Sequence, residues 1–216
     1  MARLLRLGHR GARARKSIPE NTIASFDQAL AEGSHGFEFD VRLSADAEPV
    51  ICHDPAHGAI EIQKARAADL PGLCTLAQVL ERYHQRAFLD MELKVPGLEQ
   101  ITLNFLRKFP VQRGFVVSSF LPEVLKTLRD LDPSLPLGLI AETRPQLQLW
   151  TKLPVSFVIP QFNLLTAELA QELKSEGKRI LPWTVNHPDD MKKMADLGVD
   201  GLISDDPALL RQTLPD

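Results

Sequence analysis

Gly36-Phe37-Glu38-Phe39-Asp40-Val41-Arg42-Leu43-Ser44-Ala45-Asp46-Ala47-Glu48-Pro49-Val50-Ile51-Cys52-His53-Asp54 is the stretch from which the architecture of the chain can be worked out. Phe37 to Leu43 reads as a strand, whose period of two sets Glu38 and Asp40 on one face and Phe37, Phe39 and Val41 on the other. The six residues Ser44 to Pro49 lead to a second apolar run, Val50 to Cys52. They are too few for the crossover that parallel pairing requires, so an antiparallel hairpin is expected. With Leu43 opposite Val50, Asp40 falls opposite His53, which places an imidazole beside two carboxylates.

On either side of the hairpin, strand-like and helix-like segments alternate. Leu4 to Gly8 is a short apolar run, followed by a helix over Thr22 to Glu32 with Asn21 as the expected N-cap. Beyond a polar stretch, Thr75 starts a capped amphipathic helix ending near His84. Further strands are expected at Ala87 to Lys94, Phe115 to Ser118, Leu137 to Ile140, Phe157 to Ile159, Arg179 to Val185 and Gly201 to Ile203. Between them lie helices at Leu98 to Phe109, Pro122 to Asp130, around Gln146 to Trp150, Thr166 to Ser175 and Pro188 to Leu197, and a last helix begins at Pro207. Eight strand-helix units, several with strands apolar throughout, predict an α/β chain folded as a (β/α)8 TIM barrel with a β-hairpin extending strand 2. The rival, an open doubly wound sheet, is disfavoured because Gly8-His9-Arg10-Gly11 lacks the G-x-G-x-x-G spacing.

A chain of 216 residues fits a single domain over 1–216 that buries roughly 70% of its unfolded surface. A net charge of -3 argues against a nucleic-acid partner. Basic residues cluster only at Arg3, Arg6, Arg10, Arg13, Arg15 and Lys16, with no apolar stretch after Met1 to make a signal peptide; a cytoplasmic protein is expected. The two cysteines, Cys52 and Cys74, give neither a metal spacing nor a disulfide framework and read as reduced packing residues. No run approaches the roughly 20 residues of a membrane span, so no stable membrane insertion is expected and a lipid substrate would be met from solution. Monomer and homo-oligomer are equally compatible with the sequence.

Barrel active sites lie at the C-terminal ends of the strands, and those ends are polar here. His9 and Arg10 follow strand one, Glu38 and Asp40 ride strand two, and Glu92 and Lys94 end strand three. Three carboxylates at one mouth, with no cysteine and few imidazoles, suit a hard divalent cation, Mg²⁺ or Ca²⁺, better than zinc. The plainer alternative pairs each acid with a base such as Arg42 or Lys94. His9 and His53 are the candidate acid and base, since an imidazole's ordinary pKa of about 6.5 suits either role. His35, His57, His84 and His187 read as surface or core residues. Arg10 and Lys94 beside an acidic mouth imply an anionic ligand such as phosphate, salt bridges to the same acids being the alternative.

In order along the chain stand His9-Arg10-Gly11, Pro19-Glu20-Asn21-Thr22, Glu38-Phe39-Asp40-Val41, His53-Asp54, Glu92-Leu93-Lys94, Ser119-Phe120, Trp183-Thr184-Val185-Asn186, and Asp200-Gly201 through Asp205 to Pro207. In these motifs, spread from the first strand to the last, the chain resembles the glycerophosphodiester phosphodiesterase family. The resemblance implies a metal held by Glu38, Asp40 and Glu92, with Glu20 near it. It implies His9 and His53 as the acid-base pair, Arg10 and Lys94 on the phosphate, and Trp183 as an apolar wall for the glycerol or the leaving alcohol. For Trp183, ordinary barrel packing is the alternative. The implied activity is hydrolysis of a small-molecule glycerophosphodiester to sn-glycerol 3-phosphate and an alcohol. Pro55 to Leu73 is shorter than the corresponding segment of many relatives, which keeps a lysophospholipase D acting on bulkier lysophospholipids in view. A non-catalytic barrel that binds anions is the remaining alternative.

Overall fold

The structure is a computed structural model describing residues 4–215; Arg3 of the basic run lies outside the described residues. Eight parallel strands alternate with helices: β1 (Leu5–Gly8), β2 (Gly36–Leu43), β3 (Phe88–Leu93), β4 (Phe115–Ser119), β5 (Leu137–Ala141), β6 (Phe157–Pro160), β7 (Arg179–Ile180) and β8 (Gly201–Ser204). They run in the order β7-β6-β5-β4-β3-β2-β1-β8, with the return strand Pro49–Ile51 pairing antiparallel to β2. Between β7 and β8 the ring is closed by backbone bonds from Asp200 N to Ile180 O (3.0 Å), Ile203 N to Pro182 O (3.1 Å) and Val185 N to Ile203 O (2.9 Å). The chain is thus a (β/α)8 barrel, as the alternation predicts.

Period-2 alternation divides the core into two shells. Inside the barrel pack Leu7, Phe88, Val116, Ile140, Phe157, Ile159, Leu181 and Ile203. Outside it, Phe37, Phe39 and Val41 of β2 and Leu89, Met91 and Leu93 of β3 meet the helices. Phe26 of helix α1 (Ile23–Ala31) stacks on Phe37 at 4.2 Å, and Tyr83 of helix α2 (Leu76–Tyr83) meets Phe37 edge-on at 4.9 Å. Each such ring contributes on the order of 2 kcal/mol by burial. A one-residue slip of β2 would turn these rings into the mouth and the two acids into the apolar layer, so the aromatic cluster fixes which way Glu38 and Asp40 point. The start of the strand is pinned too, since a Cβ on Gly36 would collide with the Phe88 carbonyl oxygen.

Local chemistry explains the helix starts. Thr75 and Gln78 form a capping box ahead of α2, which buries Leu76, Val79, Leu80 and Tyr83 along one face. Thr22 caps α1 by accepting from Ser25 N, so the expected cap at Asn21 is shifted by one residue. The reason is that Asn21 adopts φ 58 and turns its amide toward Asp40.

Two further expectations are corrected. The hairpin pairs Leu43 with Pro49, Arg42 with Val50 and Val41 with Ile51, one residue out of the expected register. Ser44 N donates to Glu48 O and Ala47 sits at φ 61, so the turn is completed within residues 44–48 and pairing begins at Pro49. Asp40 therefore faces Cys52, whose N–H donates to Asp40 O at 3.0 Å, and His53 lies one residue beyond. Strand β7 stops at Ile180 instead of continuing to Val185; Pro182 has no N–H for the ladder, and Trp183 returns only as a single bridge to Gln161. The helix expected around 146–150 is Arg144–Leu147, with a 3-10 turn after it, Gln148–Thr151. Residues 55–73 form a small hairpin, Ala56–His57 with Ile60–Glu61, and two 3-10 turns over a satellite core of Val50, Ile62 and Leu70. Among the described residues no helix is long and apolar enough to cross a membrane.

Candidate active site

Strands β2 and β3 lie side by side in register, Glu38 beside Asp90 and Asp40 beside Glu92. Their inward side chains converge on the mouth. Oxygens of Glu38, Asp40 and Glu92 lie within 4.8 Å of one another, all three residues being buried. At an effective dielectric of about 20, two unit charges at such a separation repel by roughly 3 kcal/mol. Burial first, and then Asp40 and Glu92, hold the Glu38 carboxyl well above the usual range. Burial and the Asp40 charge push Glu92 up to about 7. Asp90, one layer deeper, is also pushed up to about 7 by burial, although it accepts a hydrogen bond from Ser118 Oγ at 2.5 Å.

Asp40 behaves differently. Burial disfavours its charge, but Lys94 Nζ at 3.2 Å, Arg10 Nε at 3.4 Å and the Asn21 amide at 2.7 Å outweigh that and keep it below the usual range. Lys94 also reaches Glu92 Oε1 at 2.6 Å. The plainer alternative, ion pairs between the acids and their neighbours, is therefore present in part. It is incomplete, because Glu38 Oε1 is buried without a hydrogen-bond partner among the described residues. An all-oxygen donor set with one orphaned buried oxygen and two carboxyls short of compensating charge fits a hard divalent cation. Glu20 stands apart from this trio, its carboxylate gripped by Arg10 Nη1 and Arg13 Nε, each at 2.7 Å.

Arg10 occupies the left-handed region at φ 51. Its N–H donates to Glu38 Oε2 at 3.0 Å, and its carbonyl accepts from Asn21 N and Ser25 Oγ, each at 3.0 Å. These bonds hold a strained backbone in place and aim the guanidinium at the acids.

The two histidines reach the same cavity by different routes. His9 is nearly buried, and its Nδ1 lies 2.7 Å from Asp205 Oδ1. Burial resists the Asp205 carboxylate's charge, yet the His9 hydrogen bond and the surrounding donors bring it down to about 2. An ionised Asp205 only accepts, so His9 Nδ1 carries the hydrogen and Nε2, 3.8 Å from Glu38 Oε2, is open toward the mouth. Burial pushes His9 below the usual imidazole value despite Asp205, favouring the neutral ring. His53 is held from outside. Arg42 Nε and Nη2 donate to its carbonyl at 2.9 and 2.7 Å, and its Nδ1 lies 2.7 Å from Asp54 Oδ1.

The cavity of about 410 Å³ gathers His9, Arg10, Glu38, His53, Glu92, Lys94 and Trp183, the last fixed by an indole hydrogen bond to Ile159 O at 3.0 Å. Asp205 has no assigned role in the sequence reading. The available signal was barrel closure, which makes the last strand a neighbour of the first and so brings Asp205 to His9. Arg13 and Asn186 complete its shell, at 3.2 and 2.8 Å.

A parallel barrel whose mouth holds carboxylates, imidazoles and a guanidinium is a site for hydrolysis of an anionic ester. The chain matches the model of the Glycerophosphoryl diester phosphodiesterase family over residues 9–102 and 61–209. It belongs to this family and is an enzyme of the glycerophosphodiester phosphodiesterase class. It is 30% identical to a glycerophosphodiester phosphodiesterase of Caldanaerobacter subterraneus subsp. tengcongensis over 94% of this chain and 95% of that one. Among solved structures it shares its fold with the glycerophosphodiester phosphodiesterase from Thermotoga maritima, at 23% identity and a TM-score of 0.86 over 99% of this chain and 100% of that one. The fold is shared as well with an Oleispira antarctica phosphodiesterase in complex with the product sn-glycerol-3-phosphate, at 24% identity and a TM-score of 0.87 over 99% and 98%.

Proposed function

We propose that the chain hydrolyses glycerophosphodiesters to sn-glycerol 3-phosphate and an alcohol with Mg²⁺ or Ca²⁺ as cofactor, within a single barrel domain. The observation that carries this reading is the buried trio Glu38, Asp40 and Glu92, of which Glu38 and Glu92 line one cavity with both histidines, Arg10 and Lys94. The product bound to the Oleispira antarctica relative supports the choice of substrate. Glu38, Asp40 and Glu92 would hold the cation, which when bound neutralises charge on the non-bridging phosphate oxygens. Arg10 and Lys94 bind and orient the phosphate, adding fixed positive charge where negative charge builds in the transition state. One imidazole takes a proton from the attacking oxygen and the other delivers one to the departing alkoxide. Asp205 and Asp54 each fix their histidine with Nδ1 protonated, which presents Nε2 for that exchange.

The apolar wall around Trp183 also supports a second reading, lysophospholipase D action on a glycerol that carries an acyl chain. Comparing soluble glycerophosphocholine with micellar lysophosphatidylcholine separates the two. The first test is incubation with glycerophosphocholine and Mg²⁺ or Ca²⁺, measuring released glycerol 3-phosphate. Product lost in His9→Ala and His53→Ala is expected; absence of product with either metal removes the proposal.

A further inference from the structure

Arg42 follows Asp40 by two residues on β2, so period two sets its side chain on the same face as Glu38 and Asp40. It does not join them. Among the described residues no carboxylate lies within ion-pair distance of its guanidinium, and Nε and Nη2 both donate to the His53 carbonyl oxygen, at 2.9 and 2.7 Å. The mouth cavity is lined by His53 but not by Arg42. Arg42 lines instead a separate crevice of about 430 Å³, with Leu43, Pro55, Ile62 and Val95.

The two histidines differ in what secures them. His9 directly follows β1, its own N–H donates to Ser204 O at 2.8 Å, and its partner Asp205 is held by Arg13 and Asn186. His53 lies two residues past the last ladder pair, Val41 with Ile51, beyond the bond from Cys52 N to Asp40 O. Its side-chain partner Asp54 is 75% exposed, and a contact so open to water holds little. The chain is fastened again at Pro55 O, which accepts from Ile62 N at 3.0 Å. Between those points the two-pronged bond from Arg42 fixes the His53 peptide. A carbonyl oxygen has two lone pairs, and two donors on it set its direction as well as its distance.

From this arrangement we infer that Arg42 is a positioning residue: from outside the mouth it fixes the main chain of His53, and thereby the place from which that imidazole exchanges its proton. The inference rests on the proposed function, in which His53 is one of the two proton carriers. Arg42 neither lines the mouth cavity nor pairs with the acids, so substrate and cation binding do not need it. A displaced imidazole does cost rate, since a misplacement of about 1 Å at a reacting group slows a reaction about 100-fold.

The test is a double-mutant cycle on glycerophosphocholine, with Mg²⁺ or Ca²⁺ present, over wild type, Arg42→Met, His53→Ala and the two combined. Methionine keeps an unbranched apolar stem and removes every donor. Arg42→Met alone should lower kcat about 10- to 100-fold and leave KM within about twofold. His53→Ala retains a measurable rate, since loss of an acid-base group costs about 100- to 10,000-fold. In that background Arg42→Met should lower kcat by less than about twofold, because the residue it positions is gone. The Tm gain on adding the cation should match that of wild type, which separates an effect on His53 from one relayed through Asp40. Thermal melts establish folding, and Arg42→Gln stands in if Arg42→Met does not fold. A kcat within about twofold of wild type overturns the inference, as does an equal loss in the His53→Ala background or a smaller Tm gain. Failure of both Arg42 variants to fold also overturns it, since Arg42 then belongs to the scaffold. Each of these results leaves the proposed function standing. Wild type without activity on glycerophosphocholine removes the proposed function and the inference with it, and His53→Ala as active as wild type removes His53 from both.

Discussion

Replacing Asn21 tests whether the second strand's acid depends on a residue that is far from it in the sequence of strands. Asn21 is buried, and its Nδ2 donates to Asp40 Oδ2 at 2.7 Å while its Oδ1 accepts from Asp40 N at 3.3 Å. A hydrogen bond to a charged group contributes about 1.5–3 kcal/mol. Asp40 keeps Lys94 and Arg10 after truncation, so the cost of a fully unpaired buried charge does not arise. Asn21→Gly should therefore cost about 2 kcal/mol. Asn21→Ala should cost about 1 kcal/mol more, because the backbone sits at φ 58, where a Cβ without a polar side chain is unfavourable. For a chain of this size these losses lower Tm by roughly 6 °C and 9 °C. Freed from the amide, Asp40 should also hold the cation roughly 10- to 100-fold more weakly. The assays are guanidinium and thermal denaturation together with a metal titration of activity. An alanine variant as stable as the glycine variant would refute the backbone argument. A glycine variant within about 0.5 kcal/mol of wild type would refute the support of Asp40 by the amide.

Cation binding should depend on pH, because Glu38 and Glu92 both hold protons more tightly than ordinary carboxyls, Glu92 up to about 7. Adding Mg²⁺ or Ca²⁺ to metal-free protein should therefore raise Tm more at pH 8 than at pH 6, where protons compete for the same oxygens. An equal gain at both, or a gain surviving Glu38→Gln with Glu92→Gln, contradicts the assignment. Asp205 makes the opposite kind of prediction, since its folded value is depressed to about 2. Its stabilisation is complete above the ordinary carboxylate value near 4 and is lost as pH falls through about 2. Chemical denaturation should show Asp205→Asn about 2 kcal/mol less stable than wild type at pH 7, the gap closing toward pH 2; a pH-independent gap contradicts the linkage.

Local patterning was enough to lay out the ring of strands and to bring His9, Arg10, Glu38, Glu92 and Lys94 to its mouth. Alternation of apolar runs with capped amphipathic segments suffices for that, and period two alone places Glu38 and Asp40 on the face opposite Phe37 and Phe39. The remaining features took shape through contacts made on folding. The hairpin register depended on a left-handed Ala47 and a turn closed at Glu48, local conformations that composition does not reveal. Asp205 became the partner of His9 because the last strand closes against the first, a contact 196 residues long in sequence that no periodicity encodes. Glu20 was drawn from the acids to Arg10 and Arg13 because two guanidiniums outcompete a site already crowded with negative charge. Side-chain period is a local property of the chain, whereas partner choice among charges is settled by distances that exist only once the barrel is closed.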